Sequence, residues 1–183
     1  MSRFCAVAAA WCWLLAGTSC QRTETSAPDD PSTAVHVFFS GYRGNFREAD
    51  LTKLSPSLAA AIGSALTIEQ DSRAAVKASD FPTDKPLLLE GELFSGLYEG
   101  FTSYQVVAEA LDGDRATVDV LFTNQHYDIS WTDRVDMVRE DDGWKIDDVR
   151  YLDKKTAALG LRDVLRYFEE AAASDPMLNP AKK

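Results

Sequence analysis

The stretch TNQHYDISW, residues 123–131, concentrates side chains that could bind a partner or take part in a reaction. Tyrosine and tryptophan are the usual anchors of protein-binding surfaces. Two interpretations fit the stretch: a binding surface, or a strand connection with partly buried aromatic side chains. Its side chains of interest are Asn124, His126, Tyr127, Asp128 and Trp131.

A second concentration of polar residues is acidic and lies in a predicted hairpin shortly downstream. Its carboxylates are opposed by Lys145 alone. If these carboxylates lie at the same edge of the sheet as the aromatic residues of 123–131, they form an acidic rim around aromatic anchors. Such an arrangement suits the binding of a basic protein surface. The candidate protein-binding residues are therefore Tyr127, Asp128, Trp131, Glu140, Asp141, Asp142 and Asp147.

The segment WKIDDV in the same hairpin breaks the alternation expected of a strand. Trp144 and Ile146 share one face, so strict alternation places Asp148 beside them and Val149 on the opposite face. A β-bulge at Asp147–Asp148 would return Val149 to the apolar face. The other interpretation is an inward carboxylate with a raised pKa, which would be a candidate acid or base.

Familiar catalytic and metal-binding motifs are missing from the sequence. It contains no G-x-S-x-G, no P-loop, no G-x-G-x-x-G and no H-E-x-x-H. The acidic turns DGD and EDDG lack the spaced oxygen ligands and the terminal glutamate of a calcium loop. We therefore predict a protein that is not an enzyme, with no catalytic residues, no metal and no cofactor.

The N-terminus resembles a bacterial lipoprotein signal. Arg3 precedes an uncharged apolar run over residues 4–16, which is shorter than the roughly 20 residues of a membrane-spanning helix and suits a secretory signal. Small residues then lead to Cys20, the expected site of lipidation. Because Cys5 and Cys12 fall inside the signal, Cys20 would be the only cysteine of the mature chain, and acylation would remove a reactive thiol. Ordinary signal cleavage before Cys20 would instead give a soluble periplasmic protein.

These features divide the chain into four parts. They predict a signal peptide over residues 1–19, a flexible tether over 20–33, a single domain over 34–175 and a loose tail over 176–183. Gln21, directly after the cysteine, favours the outer membrane over the inner one. We expect a protein of the bacterial cell envelope that faces the periplasm.

The net charge of −10 narrows the choice of partner. It argues against nucleic acid, whose phosphates need a basic surface, and against contact with anionic lipid except through the lipid anchor. It suits a basic secreted or envelope protein. A charge that serves solubility alone is the other interpretation, and the sequence does not indicate an oligomeric state.

Three helices are predicted from apolar residues at helical spacing. The second begins with Ser55 as N-cap and Pro56 in the first turn, and it ends before Asp80–Pro86. The apolar face of the first helix, continued beyond it, consists of Val35, Phe38, Phe39, Tyr42 and Phe46. The faces of the other two consist of Leu58, Ile62, Ala65 and Leu66, and of Leu161, Val164, Leu165, Phe168 and Ala172.

Between the second and third helices the period changes from 3.6 to 2, which predicts four strands. They cover residues 104–111, 115–124, 132–140 and 144–152, with turns at Asp112–Asp114 and Asp141–Gly143. Short turns between consecutive strands imply an antiparallel meander. The predicted fold class is α+β, with N-terminal helices packed on a curved, cone-like antiparallel sheet and a C-terminal helix.

The segments GWKIDDVRY and GDRATVDVLF resemble a family of bacterial envelope lipoproteins of unknown function. These proteins have the cone-shaped α+β fold of ketosteroid isomerase and nuclear transport factor two. The resemblance covers about residues 34–152 and implies helices over a strongly bent sheet, often with a pocket between them. It implies no catalytic residues, because no set of them can be aligned with this chain.

Three functional hypotheses follow. The first is a non-catalytic protein-binding lipoprotein, most concretely an immunity or inhibitor protein that neutralises a basic, envelope-targeting toxin or hydrolase. The second is a small-ligand carrier or enzyme that uses a pocket in the cone. The third is a general envelope maintenance lipoprotein. An exposed aromatic and acidic surface over a filled interior favours the first, and a deep pocket with a buried carboxylate favours the second.

Overall fold

The computed structural model of the protein describes residues 30–152 and 159–179. Two helices precede a four-stranded antiparallel sheet, and a third helix follows it. The helices pack on a curved sheet, so the predicted α+β class is confirmed. The helices are α1 (Pro31–Gly41), α2 (Pro56–Ala78) and α3 (Leu161–Ser174), and the strands are β1 (Ser103–Asp112), β2 (Arg115–Asn124), β3 (Ile129–Glu140) and β4 (Gly143–Tyr151).

The first two helices begin as capping rules predict. Asp30 caps α1 by accepting a 2.7 Å hydrogen bond from Thr33 N, and Ser55 caps α2 by accepting one of 3.2 Å from Leu58 N. Proline occupies the first turn of both helices, where the missing N–H costs nothing. Helix α1 therefore begins at Pro31, inside the segment predicted as tether.

Two short 3₁₀ turns, Phe46–Glu48 and Leu51–Lys53, join α1 to α2. The first of them carries Phe46 into the core, where its side chain is 1% exposed. The apolar stripe read from the sequence is thus buried along its whole length, although α1 itself ends at Gly41.

The sheet is a plain meander with strand order β1-β2-β3-β4. Two-residue turns join β1 to β2 and β3 to β4, at the two positions predicted from the sequence. Gly113 (φ 59°) lies in the first turn and Gly143 (φ 110°) directly follows the second, and glycine adopts both positive-φ conformations without strain. The outer edge of β4 is covered by two bridges, one from Leu54 and one from Gly160.

An aromatic cluster fills the space between α1 and the inner face of the sheet. Phe38 stacks on Tyr42 with ring centroids 5.4 Å apart, and Phe39 packs edge-on against Phe122 at 5.3 Å. Phe101 lies 4.7 Å from Phe122. Alternate residues of β2 are buried, and the apolar ones, which belong to this core, are Ala116, Val118, Val120 and Phe122.

Several predictions concern residues that lie outside the described ranges. These are the signal peptide, the lipidation site Cys20 and most of the tether. The predicted tail is described as far as residue 179, where Asn179 Nδ2 donates a 2.9 Å hydrogen bond to Ala172 O at the end of α3. Within the described residues, we find no helix with the length and apolarity needed to cross a membrane.

Candidate functional site

The residues predicted to form one rim lie at opposite ends of β3. Tyr127 and Asp128 belong to the β2–β3 turn, whereas Asp141 and Asp142 form the β3–β4 turn. The strand between these turns has 12 residues, which separates them by roughly 35 Å at about 3.3 Å per residue. The expectation of one aromatic and acidic edge is therefore wrong, because a meander reverses direction at every turn.

Two carboxylates of the acidic hairpin, Asp142 and Asp147, are paired with neighbouring cations. Asp142 accepts a 2.6 Å hydrogen bond from Lys145 Nζ, and this contact lowers the pKa of the Asp142 carboxyl. Lys145 is itself buried and also donates to Thr52 O at 2.6 Å. The prediction that Lys145 alone opposes the carboxylates is incomplete. Arg115 and Arg162, which are distant in sequence, lie beside Asp147.

Asp147 is a structural residue that ties three elements together. It accepts 2.6 Å hydrogen bonds from Ser55 Oγ and from Arg162 Nη2, and Arg115 Nη1 lies 3.8 Å away. Burial acts to raise the pKa of Asp147, but the hydrogen bonds from Ser55 and Arg162 outweigh it and hold the pKa below its usual value. This carboxylate links the start of α2, β4 and the start of α3.

The bulge predicted in β4 is present, and it accounts for the broken alternation. Asp136 pairs with Asp148 while Met137 pairs with Ile146, which leaves Asp147 as the extra residue. Val149 is consequently fully buried. The bulge is therefore confirmed as the interpretation of the segment WKIDDV.

The pKa of Asp148 is nevertheless raised, mainly because the side chain is partly buried, and also because Asp136 lies nearby. Its Oδ1 accepts hydrogen bonds from Val149 N at 2.8 Å and from Arg162 N at 3.0 Å. Asp148 thus caps the first turn of α3. It borders an open groove of about 420 Å³, whose lining also includes Ala116, Met137 and Arg162.

At the other end of β3, the aromatic residues form an exposed apolar patch. We define the β2–β3 patch as Leu97, Tyr127, Ile129 and Trp131. Tyr127 is 58% exposed and Ile129 40% exposed. Leu97, Ile129 and Trp131 line one groove of about 530 Å³. Such a groove has the size of a site for one or two large side chains of a partner.

Trp131 of this patch is held rigidly. Its ring stacks on Phe122 with centroids 5.7 Å apart, and its Nε1 donates a 2.9 Å hydrogen bond to Asp133 Oδ2. Trp131 therefore packs against the core and also forms part of the β2–β3 patch. Tyr127 is the better candidate for a pure contact residue.

The turn that carries Tyr127 is fixed by Asn124. The Asn124 amide donates to Gly100 O at 2.8 Å and accepts from His126 N at 3.0 Å. Asp128 follows with φ 53°, a left-handed conformation that aspartate tolerates better than most residues. Asn124 thus shapes the turn, whereas His126 and Asp128 are exposed.

Sequence reasoning missed a buried polar pair, Tyr42 and Glu92. Tyr42 Oη donates a 2.7 Å hydrogen bond to Glu92 Oε1, and both residues are more than nine-tenths buried. Burial raises the pKa of both groups. The available signal was a pair of glutamates, Glu90 and Glu92, in the otherwise apolar and glycine-rich segment LLLEGELFSG, which has no helical or strand period.

Within residues 30–152 and 159–179, no group of three or more His, Cys, Asp or Glu side chains is placed to hold a metal ion. Comparison of the chain with protein-family models, with curated proteins and with solved structures gave no match.

Proposed function

We propose that this protein is a lipoprotein anchored through Cys20, facing the periplasm, whose domain binds another protein without catalysis. The observation that carries the proposal is the β2–β3 patch, where Tyr127 is exposed on the turn and Ile129 lines a groove together with the rigid Trp131. Aromatic side chains beside a preformed groove are typical of the energetically dominant part of a protein interface.

The packing of the interior supports binding over catalysis. The aromatic cluster occupies the space between α1 and the sheet, where a fold of this type would place a substrate. The buried pair Tyr42 and Glu92 is engaged with its surroundings through Phe94 N and through the phenol–carboxylate hydrogen bond. In the acidic hairpin, Asp147 links three elements and Asp148 accepts a hydrogen bond from the first turn of α3.

The most concrete form of the proposal is an immunity or inhibitor protein that neutralises a basic, envelope-targeting toxin or hydrolase. The net charge of −10 would speed the approach of such a partner and disfavour acidic competitors. A lipid anchor would raise the local concentration of the inhibitor where an attacker arrives. The partner, in this proposal, inserts an apolar side chain into the groove beside Trp131.

Substituting Tyr127 by alanine is expected to weaken partner binding by roughly tenfold to a hundredfold, as for an interface anchor. The melting temperature should stay unchanged, because the Tyr127 side chain is 58% exposed. The affinity is measured by immobilising the mature chain, capturing basic proteins from envelope and secreted fractions, and titrating the captured protein.

Tyr167→Ala is the matched control, because Tyr167 is also an exposed tyrosine (52%) but lies on α3. It should bind as the unsubstituted chain does. The proposal is wrong if the captured protein is not released by salt, or if Tyr127→Ala and Tyr167→Ala retain the same affinity.

A further inference from the structure

The sheet has one edge that is not covered, and β1 forms it. The opposite edge, at β4, carries bridges from Leu54 and Gly160. On the side of β1 away from β2, by contrast, no described residue pairs with the strand. An uncovered edge strand presents unpaired backbone N–H and C=O groups, to which another strand can add.

The second half of β1 is the accessible part of this edge. Residues 107–112 are all exposed, whereas Tyr104, in the first half, contacts α1 through a 2.9 Å hydrogen bond between its Oη and His36 Nδ1. Val107 is the extra residue of a β-bulge, and residues 108–112 then pair with β2 in register without a further break. A regular ladder of this length is sufficient for a short added strand.

This half of β1 lacks most of the features that protect edge strands from association. The strand contains no proline, lysine or arginine. Val107 and Leu111 expose apolar side chains, at 48% and 62%. The bulge at Val107 is itself a protective feature, but the ladder after it is regular. Residues 107–112 are therefore open to strand addition.

The charge along this edge favours a basic occupant. Glu109 and Asp112 lie on β1, and Asp114 lies in the turn that follows. None of the three forms an ion pair with a described residue. Pairing of this edge with a second copy of the chain would bring the same carboxylates of two copies close together, which is destabilising.

A groove of about 420 Å³ borders the end of β1. Ala110, Leu111 and Asp112 line it from this strand, and Asp148 lines it from β4. Ala110 and Leu111 are exposed, so they offer an apolar wall beside the carboxylates. A side chain with an aliphatic stem and a cationic head, as in lysine or arginine, is complementary to such a groove.

Carboxylates outnumber cations among the residues that line this groove. Two of its aspartates are already paired, Asp136 with Arg150 and Asp147 with Arg162. Asp112 and Asp148 form no ion pair with a described residue. The lining contains the carboxylates Asp112, Asp136, Asp147 and Asp148 and the cations Arg115 and Arg162.

We propose that residues 107–112 bind an extended basic segment of the partner protein by strand addition. The segment continues the sheet through backbone hydrogen bonds, and one lysine or arginine side chain lies along Leu111 with its charge beside Asp112 and Asp148. Backbone hydrogen bonds supply the affinity in this mode of binding, and side chains supply the preference. The inference rests on the proposed function, because the segment belongs to the basic partner, and it adds a contact at the end of the sheet away from the β2–β3 patch.

The test uses a synthetic peptide of alternating lysine and valine, about eight residues long with blocked ends. The peptide is titrated into the mature chain, and NMR records the chemical shifts and hydrogen exchange of backbone amides. We expect saturable binding with a dissociation constant on the order of 1 mM. At ten times that concentration, every second amide of residues 107–112 should exchange about tenfold more slowly. A peptide of alternating glutamate and valine should bind at least about tenfold more weakly.

Two variants assign the contacts, each with a matched control. Val107→Lys places a cation on the edge strand, a protective feature, and should weaken binding of the lysine peptide by about tenfold. Val37→Lys is its control, because Val37 is also an exposed valine (39%) but lies on α1. Asp112→Asn should weaken the lysine peptide and leave a threonine–valine peptide unaffected. Asp84→Asn, at an exposed aspartate in the loop after α2, should change neither.

Three results would overturn the proposal: no saturable shift up to about ten times the expected constant, protection that does not alternate along residues 107–112, or equal binding of the lysine and glutamate peptides. Alternating protection of the chain without peptide, together with a doubled molecular mass, would assign the edge to a second copy and would also overturn it. If Val107→Lys does not fold, the Asp112→Asn comparison still decides.

The outcome for this edge is separable from the outcome for the β2–β3 patch. Tyr127→Ala should leave binding of the lysine peptide unchanged, because Tyr127 lies at the other end of β2. If the peptide does not bind while Tyr127→Ala still weakens binding of the captured partner, this inference is wrong and the proposed function stands. If the peptide binds as expected while Tyr127→Ala has no effect on the partner, the β2–β3 patch is wrong and the edge stands.

Discussion

Replacing Phe122 by alanine is expected to lower the free energy of unfolding by about 3–5 kcal/mol, the range for truncating a fully buried phenylalanine. Phe122 is 0% exposed. Its ring contacts those of Phe39, Phe101 and Trp131, with centroids 5.3, 4.7 and 5.7 Å away. The substitution therefore leaves a cavity that rigid neighbours cannot fill by a simple rotation. Urea denaturation followed by tryptophan fluorescence measures the change.

The control for this prediction is Phe81→Ala. Phe81 is 67% exposed and lies in the loop after α2. The same chemical change should there alter stability by less than about 0.5 kcal/mol. If Phe122→Ala and Phe81→Ala cost the same, the aromatic cluster is not the core that the packing indicates.

Phe122 also connects stability to the proposed binding surface. Its ring supports the indole of Trp131, and Trp131 forms one wall of the groove in the β2–β3 patch. Removal of the Phe122 ring should therefore also loosen this groove. A surface that depends on the core in this way is preorganised, which reduces the entropy lost on binding.

The architecture was predictable because local patterns dominate it. The period of 3.6 residues in α1 and α2, the N-cap Ser55, and the change to a period of 2 after residue 103 each act within a few residues. The broken alternation at Asp147 indicated the bulge for the same reason. Short turns then left a meander as the simplest order of the strands.

The candidate sites were harder to predict because they depend on distances between segments remote in sequence. Tyr127 and Asp141 are 14 positions apart and lie at opposite ends of β3, a separation that the predicted meander already implied and that the expectation of one shared edge did not take into account. The arginine that binds Asp147 comes from α3, 15 positions away. No periodic pattern encodes such pairings.

Glu92 illustrates the same limit from another direction. Glu92 lies in a segment without regular secondary structure. No periodic pattern in the sequence therefore indicates whether its side chain is buried. Its partner Tyr42 is 50 positions away. The sequence showed a carboxylate among apolar residues and glycines, but the structure was needed to show that one of its oxygens is buried without a hydrogen bond.

Glu69 joins α2 to the two segments that pack beside it. Its side chain is 1% exposed. It accepts hydrogen bonds from Arg47 Nε at 2.9 Å and Nη2 at 2.5 Å, and from Leu89 N at 2.9 Å. Arg73 Nη2 approaches at 3.4 Å. One buried carboxylate thus anchors both the 3₁₀ turn after α1 and the irregular segment before β1.

Glu69→Gln is expected to destabilise the fold by about 2–4 kcal/mol at neutral pH. Breaking a buried ion pair costs about 3–5 kcal/mol, and the figure is reduced here because the Arg47 side chain is 33% exposed and can regain water. Glutamine also presents one donor where the carboxylate accepts. Guanidinium denaturation at pH 7 measures this change in the free energy of unfolding. Glu170→Gln is the control. The Glu170–Arg166 pair lies on the exposed face of α3 and should contribute less than about 1 kcal/mol.

The pH dependence of the Glu69 effect follows from the direction of its pKa shift. Burial acts to raise the pKa of Glu69, but hydrogen bonds from Arg47 and Leu89 N and the charge of Arg47 lower it below the usual value. The folded state therefore binds the proton less tightly than the unfolded state, so the stabilisation is complete above the unfolded pKa of about 4.3 and is lost as the pH falls through the folded pKa. The difference between the unsubstituted chain and Glu69→Gln should accordingly be constant from pH 6 to 8 and should shrink below pH of about 4. A difference that stays constant down to pH of about 3 would show that Glu69 stabilises the fold by packing and not by its charge.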